Sequence, residues 1–139
     1  MENSTRLFTR IHHSFNIAIV LVFMISCNNS ISFMTSAVVP AAQGNVKIKT
    51  DDNNNYQIKI NVSGLAESSR LSPSKNTYVA WITTENGEVR NLGKLQTSKL
   101  NASLKTVSSF KPVNVFLTAE DDGNILSPSG EVILTTAEF

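Results

Sequence analysis

Past residue 13 the chain contains no histidine, and it has a single cysteine, Cys27. The first scarcity removes the usual general base of nucleophilic catalysis from most of the molecule. The second excludes an internal disulfide framework, and together they exclude a clustered cysteine–histidine zinc site. Aromatic residues make up 7% of the chain, with one tryptophan, Trp81. Its longest apolar run, Ile17 to Ile25, is nine residues, about 13 Å as a helix and short of a membrane's roughly 30 Å hydrocarbon core. Neither sign of charge dominates, so no basic surplus points to nucleic acid.

What is there divides at the end of that run. Arg6, Arg10, His12 and His13 give a basic start, the nine apolar residues follow, and Ser26-Cys27 closes the segment. A basic region, a short greasy core and a small residue describe an export leader. Met24-Ile25-Ser26-Cys27 resembles the bacterial lipoprotein signal, in which a small residue precedes a cysteine that is acylated and becomes the new N-terminus. Leucine is usual where Met24 stands. The alternative is an ordinary leader cut further on, after Ala37 or Ala42. The resemblance implies a signal helix over residues 1–26, lipidation at Cys27, and a membrane reached through that lipid. Cleavage there would remove Arg6, Arg10 and Glu2 from the 12 basic and 11 acidic residues, leaving a formally neutral remainder. Residues 27–43, polar and weakly patterned at first, are expected to be a lipidated tether, with the folded domain at 44–139.

From Gly44 onward, short apolar runs alternate with turn signals at the spacing of stacked antiparallel sheets. Val46 and Ile48 alternate with Lys47 and Lys49; Ile58, Ile60 and Val62 alternate with Gln57, Lys59 and Asn61. Asp51 to Asn55 between them is a turn of residues that bond their own backbone and tolerate left-handed geometry. These predict a hairpin with one wet face, on which Lys47, Lys49 and Lys59 could meet lipid headgroups or an acidic partner. The plainer reading is that lysines on an edge hairpin deter pairing with foreign sheets.

Tyr78 to Thr84 is β-branched and aromatic except for Ala80, and Asn86-Gly87 supplies the positive-φ residues of a tight turn into Val89 to Leu95. Leu100 to Lys105, Val113 to Ala119 and Glu131 to Thr136 complete the strand pattern. The expectation is an all-β, immunoglobulin-like antiparallel β-sandwich of seven to eight strands, with Tyr78, Trp81, Leu92, Gly93 and Leu117 in its core.

No constellation points to chemistry. The acids Asp51, Asp52, Glu85, Glu88, Asp121 and Asp122 cluster at turns, where solvent keeps carboxylates ordinary. Asp51, Asn53 and Asn55 mimic the start of a calcium loop, but Tyr56 stands where its glycine should be and Val62 where its glutamate should be. Asn61-Val62-Ser63 and Asn101-Ala102-Ser103 match the glycan acceptor pattern, incidental under a bacterial signal. No cofactor, catalytic residue or small-molecule substrate is expected.

Tyr78-Val79-Ala80-Trp81, Gly87 and Asn91-Leu92-Gly93-Lys94-Leu95 are similar to the core of the extracytoplasmic C-terminal domain of anti-sigma-K factors. Leu117-Thr118-Ala119-Glu120, Gly123 and Pro128 to Leu134 resemble its closing strands and Pro-x-Gly turn. The resemblance covers Val46 to Leu134 and implies a β-sandwich outside a membrane. The cytoplasmic helical domain and spanning helix of those regulators have no counterpart here, and Glu120-Asp121 and Gly123 replace the Glu-Pro and paired glycines of their closing loop. The expected role is a non-catalytic envelope lipoprotein that binds or senses. Alternatives are an extracytoplasmic component of an anti-sigma type system, touching an inner-membrane protein, and a small carboxylate-only hydrolase.

Overall fold

The computed structural model describes residues 29–139. The apolar run Ile17 to Ile25, both histidines and Cys27, with the signal and lipidation assigned to them, lie outside the described residues. The described chain forms nine strands: β1 (Ser30–Ser32), β2 (Gln43–Thr50), β3 (Tyr56–Ser63), β4 (Thr77–Thr84), β5 (Val89–Lys94), β6 (Gln96–Ser98), β7 (Asn101–Ser108), β8 (Pro112–Glu120) and β9 (Val132–Thr135). A single 3-10 turn, Ser68–Arg70, interrupts the β3–β4 connection.

Two antiparallel sheets result, one of five strands ordered β1-β2-β3-β7-β6 and one of four ordered β5-β4-β8-β9. Strand alternation sends one face of each sheet inward. Val46, Ile58, Ile60, Val62 and Ala102 from the first meet Tyr78, Ala80, Ile82, Val115, Leu117 and Ala119 from the second. Burying each large aliphatic or aromatic side chain contributes about 1.5–3 kcal/mol relative to leaving it exposed. Tyr78 satisfies its one polar atom by donating from its hydroxyl to the Ala66 carbonyl at 2.8 Å. Burial pushes that phenol's pKa up to about 12.

The stretch expected as a tether is built into the fold from Ser30 onward. Ser30, Ile31 and Ser32 pair with Lys47, Val46 and Asn45, and Phe33 then bridges to Thr136 beside the other sheet. Ser36 Oγ accepts from the Val39 amide at 2.9 Å, and Val39 and Ala42 are buried. Polar residues carry this segment because an edge strand has one neighbour and a solvated outer face, so little apolar pattern is required of it.

The central hairpin turns at Thr84 to Glu88, where the Gly87 amide donates to the Thr84 carbonyl at 2.9 Å. Gly87 has φ 77°, while Asn86, expected to share that conformation, does not. One left-handed residue closes the longer loop that forms here, and glycine takes that conformation without steric cost.

Candidate functional site

The two sheets present very different outer faces. On the four-stranded sheet the centre of that face is buried, around Trp81, Thr118 and Glu120. Trp81 is fully enclosed, yet it points away from the space between the sheets, because its neighbours Ala80 and Ile82 take the inward positions. It stacks on Phe116 with ring centroids 6.4 Å apart and donates from its indole nitrogen to Thr118 Oγ1 at 2.8 Å. Thr118 in turn donates to Glu120 Oε1 at 2.6 Å. The Ser129 and Gly130 amides each donate to the same oxygen at 3.0 Å, and Ser129 Oγ reaches Oε2 at 2.7 Å.

Glu120 is 0% exposed. Burial alone would raise its pKa, but these donors outweigh it and hold the carboxyl below its ordinary value. A buried carboxylate with four donors is a fastening. It ties the 121–131 loop to this face, and Asn91 pins the same loop from β5 by donating to the carbonyls of Gly123 at 3.0 Å and Ile125 at 2.8 Å. Gly130 permits the close approach, since a Cβ there would stand 1.8 Å from the Ala119 carbonyl oxygen. Such a network is satisfied internally and offers no atom to a substrate.

The other residues expected in the core separate by face. Tyr78 and Leu117 lie between the sheets, and Leu92 packs against that core while staying partly exposed. Gly93 follows the bulge at Leu92, where the β4–β5 register shifts between Ala80 and Trp81, and its amide donates to Asn91 Oδ1 at 2.7 Å.

The outer face of the five-stranded sheet is basic, and Lys59 and Lys105 on it are exposed. Lys47 stands opposite Lys59, and Lys59 stands opposite Lys105. The result is three lysines in one row across β2, β3 and β7. Lys49 lies two residues along from Lys47, opposite Gln57. No carboxylate occurs in β1, β2, β3, β6 or β7. The nearest in sequence is Asp51, in the turn that ends β2. Its Oδ1 accepts from the Asn53 and Asn55 amides, each at 2.9 Å, and the Asn55 amide chiefly holds its pKa down.

This topology corrects the reading of Lys47, Lys49 and Lys59 as guards of an exposed edge. β3 is the central strand of five, and β1 covers β2. Like charges directly opposite one another weaken a sheet, so edge protection gives no reason for this row. Lys105 belongs to it and was missed, because 37 residues of chain separate β3 from β7 and their pairing leaves no local signal.

A second row runs parallel to the lysines. Ser32, Asn45, Asn61, Ser103 and Gln96 are in register across all five strands. They line a groove of about 780 Å³, to which Phe33, Met34, Thr35 and Pro40 also contribute. Asn45 Oδ1, in that lining, is buried and has no hydrogen-bond partner. At the β5–β7 side a smaller groove of about 550 Å³ is lined by Val89, Leu92, Val107, Phe110 and Leu126. Arg90 lies 4.6 Å over the Phe110 ring there.

Among the described residues, no group of three or more histidines, cysteines and acids could hold a metal ion, and no helix is long and apolar enough to cross a membrane. No family model, curated protein or solved structure matches this chain.

Proposed function

We propose that the protein is a non-catalytic cell-envelope lipoprotein, exported, anchored through Cys27, and used as a binding module of immunoglobulin-like architecture. The observation that carries the binding role is the outer face of the five-stranded sheet, where exposed Lys59 and Lys105 stand beside an amide-lined groove, while the centre of the opposite outer face is fastened under the 121–131 loop. The architecture is supported by strand order: β2-β3-β7-β6 over β5-β4-β8-β9 follows the ABED and CFG arrangement with one added strand on each sheet, β1 and β5. The anchor is supported by Met24 to Cys27 and by position. β1 opens at Ser30, three residues after Cys27, so an acyl chain there would hold the edge of that sheet within about 10 Å of the lipid surface.

Labelled palmitate in cells, with and without globomycin, tests the anchor. Label should enter the wild-type protein, and globomycin should leave the unprocessed precursor to accumulate. Cys27→Ser should take up none. Equal labelling of Cys27→Ser, or none in the wild type, removes the anchor.

A second reading, an extracytoplasmic part of an anti-sigma type system, is favoured by where its supporting residues fall. Tyr78 to Trp81, Asn91 to Leu95, Leu117 to Glu120 and Pro128 to Leu134 lie on the four-stranded sheet and its fastened loop. Recovery of a specific inner-membrane protein with the chain from solubilised membranes would favour it over the first.

A further inference from the structure

We infer that the outer face of the five-stranded sheet binds a linear acidic polysaccharide laid across the strands, its hydroxyls in the amide row and its carboxylates against the lysine row. This deepens the binding reading above by naming the ligand's chemistry, and it rests on that reading without needing the anchor.

Three features select this occupant. The row Ser32–Asn45–Asn61–Ser103–Gln96 crosses five strands, about 19 Å at the usual strand spacing. Serine hydroxyls and carboxamides both donate and accept, which is what a chain of sugar hydroxyls requires. In the lysine row, Lys59 and Lys105 are exposed and stand opposite one another, two residues further along their strands than Asn61 and Ser103, about 6.7 Å away. A polymer bearing hydroxyls along one side and regular carboxylates along the other meets both rows at once.

Asn45 supplies the second line of support. Its Oδ1 is buried in the groove lining without a hydrogen-bond partner, and an unmet buried acceptor costs free energy unless something supplies a donor. A hydroxyl from a chain seated in the groove would supply one once the amide turned this oxygen to the groove surface.

A phospholipid surface fits less well, although it shares the negative charge. A bilayer is flat and would leave the groove empty.

The test uses the full chain in detergent, with polygalacturonate as probe, dextran as neutral control, dextran sulfate as a bare polyanion and phosphatidylglycerol vesicles as the lipid alternative. Wild-type protein should bind polygalacturonate in a salt-dependent manner and ignore dextran. The double variant Lys59→Gln/Lys105→Gln should bind about tenfold more weakly, with a shallower salt dependence. Asn61→Ala should weaken polygalacturonate binding while leaving dextran sulfate unchanged, a split that simple charge attraction does not produce. Melting curves no lower than the wild type's keep misfolding out of the result.

Absence of polygalacturonate binding overturns the inference. So does an Asn61→Ala variant that binds both polyanions like the wild type, or tighter binding to the vesicles than to polygalacturonate. Palmitate labelling is read separately, so losing the anchor and losing the ligand are different results.

Discussion

The outer faces of the two sheets were built from similar strands and finished in opposite ways. On the four-stranded sheet, Trp81, Phe116, Thr118 and Glu120 are roofed by a loop that a buried carboxylate fastens down. On the five-stranded sheet, the equivalent surface carries lysines and amides, with Lys59 and Lys105 exposed. The contrast separates stability from availability. The covered face converts polar atoms into structure by satisfying each one within the fold. The open face leaves like charges in register, an arrangement that weakens a sheet and that strand order does not account for. A surface of that kind is better understood through what approaches it than through what it stabilises.

The largest test of the comparison removes the indole from the covered face. Trp81→Ala should cost about 3–5 kcal/mol, measured by denaturant unfolding, because the face cannot collapse into the void. A melt close to wild type would show that the loop, and not the ring, holds this side together.

Next is the fastening. Glu120→Gln keeps the shape but turns an amide toward the donors of Ser129 and Gly130, and should cost about 2–3 kcal/mol. The same pair of proteins carries a pH signature. The folded-state pKa of Glu120 is depressed below its ordinary 4.5, so its contribution is complete above that value. It is lost as pH falls through the lower folded-state value. Wild-type stability should therefore decline on acidification below about pH 4.5 more steeply than that of Glu120→Gln; parallel profiles would mean the carboxylate is not the fastening.

Gly87→Val, at the hairpin tip shared by neither face, should cost about 1–3 kcal/mol through its left-handed φ alone. The smallest effect has the opposite sign. Lys59→Thr on the open face should gain up to about 1 kcal/mol in low salt by breaking the like-charged row, and the gain should shrink as salt is added. A loss there would mean the lysine row is held by contacts that stabilise the fold.

How far the sequence could be read follows the same division. Period-two alternation in β2, β3 and β7 marked which side chains face inward, because apart from the exposed Val107 each of those strands is apolar on one face only. β4 defeated that logic. Tyr78, Val79, Ala80, Trp81 and Ile82 are all buried, so the strand is apolar on both sides and its pattern does not say which side Trp81 takes. The loop that buries it is polar, and its attachment through Glu120 joins residues nine and ten positions apart without a repeating signal.

The open face was half legible. Lys47, Lys49 and Lys59 were visible as one wet surface, since a hairpin pairs neighbours in sequence. Lys105 was not, and neither was the complete amide row, because both require knowing that β7 lies beside β3. The Ser30–Ser32 strand escaped for a third reason. Three residues at a sheet's end, half solvated, need no hydrophobic period, and what places them is the hydrogen-bonding edge of β2.

The bridge from Phe33 to Thr136, reinforced by the Met34 amide donating to the Thr135 carbonyl at 2.8 Å, has a mechanical meaning. A pull delivered through the segment ahead of Ser30 reaches β2 of one sheet and β9 of the other within a few residues. Tension is thus shared between both layers at the point where it arrives, and the first strand must shear from two partners before either sheet can be peeled.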